Sequence, residues 1–267
     1  MVTRLAAAGC VAPEAEAAAL LAATDDPAEL DALVRRRTAG EPLAWLVGGV
    51  DFCGLWVDVG PGVYVPRWQT EPLARRAAGL LPEHGVAVDL CTGAGAIASV
   101  LKTAIPTATV IATDIDPLAV ACARSNGIDA LVGDLDAPLP PALVGAVDVM
   151  TAVVPYVPAD ELPFLPRDVL AFEPHRALDG GAGGLAVLSR VVGCSARWLR
   201  PGGWLLLELG GDQAPTVTTL MEAAGFGDIE VRRDEDGHDR GIDGRLLDDD
   251  ESRRLGVWPW KACSTYS

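Results

Sequence analysis

The chain has 267 residues, a length that suits one α/β domain with an appendage or two small domains. Its 21 basic and 37 acidic side chains give a net charge of −16, which disfavours binding to nucleic acid. Half of the residues are hydrophobic, which excludes global disorder, yet no apolar run is long enough to predict a membrane span. The histidines and cysteines show no metal-binding spacing. We therefore expect a cytoplasmic globular protein without a metal site and without a nucleic-acid or membrane partner.

Residues 1–42 are predicted to form an N-terminal helical region. Asp26 is expected to cap a helix that begins at Pro27, and Glu29 to complete a capping box. Residues 43–68 contain short apolar runs separated by Gly and Pro, a pattern that predicts a β-hairpin linker.

Residues 69–245 alternate between strand and helix patterns. The five predicted strands cover residues 86–90, 109–113, 128–132, 147–153 and 204–209. This alternation predicts an α/β domain built on a doubly wound sheet, with ligands at the carboxyl ends of the strands. Residues 246–267 form a C-terminal extension that contains Trp258 and Trp260. The sequence leaves open whether this extension docks on the body, covers a pocket or mediates a homodimer.

A glycine-rich turn follows the first of these strands. Residues 93–98 read Gly-Ala-Gly-Ala-Ile-Ala and fit the pattern G-x-G-x-x-A. Such a turn lets a ligand approach the backbone, and the following helix N-terminus favours negative groups. Taken alone, the turn also fits an NAD-binding oxidoreductase or a purely structural loop.

One acid lies at the end of each of three successive strands: Asp89, Asp114 and Asp134. Asp89 suits a ligand with an ammonium and a sulfonium group, and Asp114 can accept from both ribose hydroxyls. Asp134 can accept from the amine of adenine. These acids favour S-adenosyl-L-methionine over NAD as the cofactor.

The segment after the fourth strand reads Val153-Val154-Pro155-Tyr156. Together with further segments in the same order, it makes the chain similar to the HemK/PrmC family of protein-(glutamine amide) methyltransferases. These segments are 61–67, 70–71, 89–97, 172–174, 177–181 and 200–208. The resemblance implies a class I S-adenosylmethionine-dependent methyltransferase with a Rossmann-like, seven-stranded mixed sheet. In this family the N-terminal helical part recognises a protein partner, and that part looks shortened here.

The resemblance also implies a donor site. Its expected residues are Asp89, Leu90, Cys91, Thr92, Gly93, Gly95, Asp114, Ile115, Asp134, Leu135 and Val153.

The chain departs from the family at the acceptor side. The family motif is Asn-Pro-Pro-Tyr, and Val153 stands where the asparagine holds the acceptor amide. An amide that loses this hydrogen bond would bind less well by about 1–3 kcal/mol. Val153, Val154 and Trp68 therefore predict a small aromatic or apolar acceptor, such as the indole of a tryptophan-containing cyclic dipeptide, and a role in natural product biosynthesis. The predicted acceptor-binding residues are Trp68, Val153, Val154, Pro155 and Tyr156.

Tyr156, Glu173 and His175 are the candidate catalytic residues, as proton acceptors for a carbon nucleophile. Two other interpretations stay open. One is a protein glutamine methyltransferase that acts on a release factor or another protein. The other is a donor-binding module without catalysis.

Overall fold

The computed structural model describes residues 1–165 and 167–255. The N-terminal region consists of short helices: α1 (Val2–Ala7), α2 (Pro13–Ala23), α3 (Pro27–Thr38) and α4 (Leu43–Val47). Their apolar side chains meet in a core of their own, formed by Leu5, Ala17, Leu20, Leu33, Val34 and Leu46. The region is therefore held together by its own packing, beside the larger core of the sheet.

The predicted cap of α3 is confirmed, because the Asp26 carboxylate accepts from the backbone N–H of Ala28 at 2.9 Å. The predicted capping box is wrong. The Glu29 carboxylate accepts instead from the hydroxyl of Thr24 at 2.5 Å. That hydroxyl oxygen in turn accepts from the N–H of Asp26 at 3.2 Å, so Thr24 takes the place that Glu29 was expected to fill.

A two-stranded antiparallel hairpin follows, with β1 (Gly49–Phe52) and β2 (Leu55–Asp58). The sequence predicts a hairpin linker from residue 43, but the structure has the helix α4 at the start of this region. Ala44, Trp45 and Leu46 are the buried residues of this helix. The indole N–H of Trp45 donates to the carbonyl of Val63 at 3.0 Å. This bond ties α4 to the segment that leads into the sheet domain.

The main sheet has seven strands in the described part of the chain, in the order β5-β4-β3-β6-β7-β9-β8. Their bounds are β3 (Val86–Leu90), β4 (Thr109–Asp114), β5 (Asp129–Val132), β6 (Val147–Ala152), β7 (Leu199–Glu208), β8 (Phe226–Arg233) and β9 (Asp239–Leu246). Strands β3 to β7 run parallel, and β9 is antiparallel to both of its neighbours. The chain reverses its winding direction at β3, which lies between β4 and β6. This switch point opens a crevice at the carboxyl ends of these strands.

Helices cover both faces of the sheet. They are α5 (Glu71–Leu80), α6 (Ala96–Ala104), α7 (Pro117–Ser125), α9 (Ala186–Trp198) and α10 (Ala214–Ala223). Two further helices are α8 (Arg167–Phe172), before α9 in the chain, and α11 (Asp249–Leu255), after β9. Helices α5, α6 and α7 pack in one hydrophobic cluster, and α9 and α10 pack in a second one. The predicted α/β fold with a mixed seven-stranded sheet is confirmed. Within residues 1–165 and 167–255, no helix has both the length and the apolar character that crossing a membrane requires.

Trp258 and Trp260 of the predicted C-terminal extension lie outside the described residues.

Candidate active site

The turn between β3 and α6 has a left-handed backbone at several positions. Cys91, Gly93 and Gly95 have φ angles of 55°, 57° and 83°. These angles suit glycine, and Cys91 adopts one of them although it carries a side chain. A Cβ on Gly93 would meet no atom within 4 Å, so its bare backbone leaves room for a ligand.

Asp89 lies in β3 directly before this turn and is almost completely buried. Its two carboxylate oxygens accept from the hydroxyls of Thr92 at 2.6 Å and Thr151 at 2.7 Å. Burial raises the pKa of Asp89 to about 6, although the two hydroxyls favour its ionised form. A cationic ligand group beside this carboxylate would stabilise its charge. The position therefore suits a positively charged ligand.

Asp114 ends β4 on the other side of the same crevice. Its oxygens accept from the N–H groups of Gly93 and Asp116, both at 2.9 Å. Burial raises the pKa of Asp114, and these two hydrogen bonds oppose the rise. Each oxygen keeps a further lone pair that a ribose hydroxyl can use.

A cleft opens at the switch point. Its empty volume is about 1060 Å³, which includes space that is open to solvent. Most of the predicted site residues line it. These are Asp89, Cys91, Thr92, Gly93, Asp114, Ile115, Val153, Val154, Pro155 and Tyr156. The structure thus brings the predicted donor turn and the Val-Val-Pro-Tyr segment into one cavity.

Two predicted donor residues support the turn from behind and are not among the residues that line the cleft. Leu90 is completely buried in the core. Gly95 packs against α7, where an added Cβ would stand 3.1 Å from the Cβ of Ala123.

Asp134 and Leu135 are also not among the lining residues. The Asp134 carboxylate is half exposed and pairs with Arg190 at 2.7 Å. Leu135 is buried, and its carbonyl accepts from the Thr113 hydroxyl at 2.8 Å. A contact between Asp134 and adenine stays a prediction, and it would compete with the Arg190 ion pair.

Trp68 and Glu173 belong to a different hollow, which we call the lateral groove. Its walls come from α2, α4 and the hairpin, and Trp56, Trp68, Val169 and Glu173 lie along it. Trp68 is 73% exposed. It lies in a turn whose other end, Thr70, points inward to the cleft, so Trp68 faces outward.

His175 is exposed, and its Nδ1 lies 4.0 Å from the carboxylate of Asp179. Of the three candidate catalytic residues, Tyr156 alone is among the residues that line the cleft.

The sequence reasoning assigned no role to Glu208, the acid at the end of β7. It is buried and accepts from the Thr70 hydroxyl at 2.5 Å. Burial raises the pKa of Glu208, whereas the nearby Tyr156 hydroxyl favours the ionised carboxylate. Glu208 lies at the end of a strand, as Asp89 and Asp114 do. This position in the sequence pattern could have identified Glu208 as a candidate site residue.

The backbone around Tyr156 is clamped by a glycine segment. A Cβ on Gly180 would stand 2.7 Å from the carbonyl oxygen of Pro155, and one on Gly184 only 2.0 Å from that of Tyr156. The same Tyr156 carbonyl accepts from Nε2 of Gln213 at 2.9 Å. These contacts leave the Tyr156 backbone little freedom to move.

The structure brings one group of possible metal ligands together among the residues it describes. The ligand atoms of Asp234, Asp236 and His238 lie within 4.8 Å of one another in the β8–β9 turn. Asp234 also pairs with Arg240 at 2.7 Å, and none of the three is among the residues that line the cleft.

The fold has known counterparts. The chain superposes on the hMettl16 catalytic domain, solved in complex with MAT2A 3'UTR hairpin 6, with a TM-score of 0.58. The two share 17% identity, and the match covers 79% of this chain and 82% of the other. No family model matches the sequence. The sheet order, the glycine turn and the buried acids define a class I S-adenosylmethionine-dependent methyltransferase.

Sequence relatives narrow this class. A release factor glutamine methyltransferase of Mycolicibacterium smegmatis is 39% identical over 259 residues, which cover 88% of this chain and 92% of the relative. One from Geobacter sulfurreducens is 36% identical over 230 residues, covering 83% and 80%. The chain belongs to the release factor glutamine methyltransferase (HemK/PrmC) family. It is an enzyme, and its methyl donor is S-adenosylmethionine.

The expected small aromatic acceptor is wrong, because these relatives are named for a glutamine of a protein. A role in natural product biosynthesis loses its basis as well. The structure shows one physical reason for the error. Trp68 lines the lateral groove and is not among the lining residues of the cleft, which include the hydroxyl-bearing Thr70 and Tyr156.

Proposed function

We propose that the enzyme methylates the side-chain amide nitrogen of a glutamine in a release factor. The observation that carries this proposal is the identity of 36–39% to release factor glutamine methyltransferases over more than four fifths of the chain. The collinear motifs from the glycine turn to the strand that ends at Glu208 support it.

The donor side of the cleft fits S-adenosylmethionine, which supplies an electrophilic sulfonium methyl group. The buried Asp89 offers an anionic neighbour for the cationic part of the donor. Asp114 offers acceptor oxygens for the ribose, and the open space at Gly93 lets the donor approach the backbone. Ile115 lies beside Asp114 and adds apolar surface to the cleft.

The acceptor side is formed by Val153, Val154, Pro155 and Tyr156. Transfer forms a bond between the amide nitrogen and the methyl carbon, breaks the carbon–sulfur bond, and releases one proton from the nitrogen. The contribution that we assign to these residues is to hold the amide in line with the methyl group and to exclude water.

We further propose that residues 69–245 are the methyltransferase domain, joined by the linker at 43–68 to a helical region at 1–42 that contacts the protein acceptor. The lateral groove lies between these parts. A release factor acceptor favours the cytoplasm as the site of action.

The test is methyl transfer from radiolabelled S-adenosylmethionine to the purified release factor of the same organism. We expect label in the protein band and, after proteolysis, one methylated glutamine by mass spectrometry. A D114N variant serves as a donor-site control and should lose the label. Label found only in an organic extract of small molecules, or no transfer at all, would contradict the proposal.

A further inference from the structure

Val153 leaves the acceptor wall of the cleft without a side-chain hydrogen-bond acceptor at that position. A glutamine amide nitrogen carries two N–H donors, and valine can accept from neither. If the acceptor is a glutamine, as the proposed function has it, other oxygen atoms have to receive these hydrogens. The described residues that line the cleft include Thr70 and Tyr156, whose hydroxyl groups are suited to this task.

Both hydroxyls lie near one buried carboxylate, that of Glu208. Glu208 is 5% exposed and is not among the residues that line the cleft, so it lies behind the wall that Thr70 and Tyr156 form. The Thr70 hydroxyl donates to Oε2 of Glu208 at 2.5 Å. The Tyr156 hydroxyl faces the same carboxylate and favours its ionised form.

The direction of these hydrogen bonds determines what the cleft presents to a ligand. A hydroxyl has one proton, and an ionised carboxylate can only accept. Thr70 therefore directs its proton toward Glu208. The ionised carboxylate favours the same orientation of the Tyr156 hydroxyl. The remaining lone pairs of both hydroxyls are the groups that stay available to a ligand on the cleft side.

We propose that Glu208 is a positioning residue, which fixes the hydroxyl oxygens of Thr70 and Tyr156 as hydrogen-bond acceptors for the amide N–H groups of the acceptor glutamine. This arrangement takes over the task of the asparagine side chain that Val153 lacks.

The surroundings keep Tyr156 in this orientation. Its ring packs directly on the backbone after β7, because a Cβ on Gly210 would stand 2.7 Å from Cδ2 of Tyr156. Gln213 holds the Tyr156 carbonyl with Nε2 and accepts from the N–H of Gly210 with Oε1 at 3.0 Å. The ring and the carbonyl of Tyr156 are thus both held by the segment that directly follows Glu208.

The charge of Glu208 depends on a small set of neighbours. Burial raises the pKa of Glu208, whereas the hydrogen bond from Thr70, the hydroxyl of Tyr156 and the charge of Arg240 on β9 favour the ionised carboxylate. The phenol of Tyr64, on the segment before α5, also faces this charge. Protonation at low pH would make Glu208 a donor and turn one hydroxyl proton toward the cleft.

The first test is Glu208→Gln, which keeps the size of the side chain but adds N–H donors. We expect kcat on the release factor to fall at least about tenfold, with the affinity for S-adenosylhomocysteine unchanged. The acidic limb of the wild-type pH–rate profile should be lost. The matched control is Asp243→Asn, a buried carboxylate on β9 that pairs with Arg76 and Arg232 away from the cleft. It should lower thermal stability and keep the wild-type pH profile.

The second test adds Val153→Asn, which restores a side-chain acceptor. In that background, Glu208→Gln should cost several-fold less in kcat than in the wild type, because the amide has an alternative partner. Glu208→Gln with wild-type kcat and pH profile, or equal losses in both backgrounds, would overturn the inference while the proposed function stands. A wild-type enzyme that does not methylate the release factor would overturn the proposed function and, with it, this inference.

Discussion

The guanidinium of Arg67 pairs with the carboxylate of Glu173, and this ion pair stands where the cleft and the lateral groove meet. Arg67 lines both hollows, whereas Glu173 lines the groove alone. The Glu173 side chain is 1% exposed and that of Arg67 35%, so the two partners differ greatly in their access to water.

Because of this difference, removing one partner should lower the free energy of unfolding more than removing the other. Arg67→Met leaves a buried carboxylate without its guanidinium and should lower the free energy of unfolding by about 3 kcal/mol. Glu173→Gln leaves a guanidinium that water can reach and should cost about 1 kcal/mol. Urea unfolding of both variants measures the two costs. Equal costs would show that the two partners do not differ in hydration as the structure indicates.

Asp89 should make ligand binding depend on pH. Its pKa in the folded protein is about 6, and a cationic ligand beside it favours the ionised form. The affinity for S-adenosylhomocysteine, which carries an ammonium group, should therefore rise between pH 5 and about 7 and then level off. Isothermal titration calorimetry across this range checks it, with Asp89→Asn as the variant that should show a flat profile. A flat profile in the wild type would speak against a role of Asp89 in donor binding.

The same carboxyl should affect stability with the opposite sign when no ligand is bound. The pKa of Asp89 is raised from 3.8 to about 6 on folding, so the folded chain holds this proton more tightly than the unfolded chain. The contribution of Asp89 to the free energy of unfolding should thus fall as pH rises from about 4 to about 6 and stay low above that. Denaturant unfolding of the wild type and Asp89→Asn isolates this contribution. A difference between the two that does not change with pH would contradict it.

The glycine segment beside Tyr156 offers a matched pair of substitutions. Gly183 and Gly184 have similar positive φ angles of 61° and 68°, so alanine is strained to a similar degree at both. A Cβ on Gly184 would stand 2.0 Å from the carbonyl oxygen of Tyr156, whereas the nearest atom to one on Gly183 lies at 3.8 Å. Gly184→Ala should therefore cost at least about 2 kcal/mol more in stability and abolish activity. Thermal unfolding and turnover of the two variants test this, and similar losses would contradict the close packing of the clamp.

Two exposed apolar side chains should behave differently toward the donor. Ile115 lines the cleft and Trp68 the lateral groove. Ile115→Ala should weaken binding of S-adenosylhomocysteine by about three- to tenfold through lost apolar contact. Trp68→Ala should leave this affinity within about twofold of the wild type. A large loss of donor affinity in Trp68→Ala would place that side chain in the cleft after all.

Patterns of neighbouring residues were sufficient to predict much of the fold and the position of the donor turn. The strand Val86–Leu90 has the bounds that the sequence predicts, because an apolar run is followed directly by a glycine turn. Asp26 caps α3 through the N–H of Ala28 at 2.9 Å, as the Asp-Pro pair predicts. These features depend on neighbours a few residues apart.

The sequence does not reveal contacts between side chains that are distant in the chain. Asp134 pairs with Arg190, 56 positions away. Trp68 lines the lateral groove, whereas Thr70, two positions further on, lines the cleft. The acceptor was misjudged from the single change at Val153. The hydroxyl of Thr70 is oriented by Glu208 at the end of β7, and no local sequence pattern reveals this contact.

The hydrogen bond from Thr70 to Glu208 joins positions 138 residues apart. The groups that we assign to the donor, Asp89, Gly93 and Asp114, all precede α7 in the chain. During synthesis the donor-facing half of the cleft is thus complete in sequence long before Glu208 leaves the ribosome. Thr70 and Tyr156 would acquire their orientation toward the acceptor only when β7 has joined the sheet, so the newly made chain is expected to become competent for methyl transfer late in its own folding.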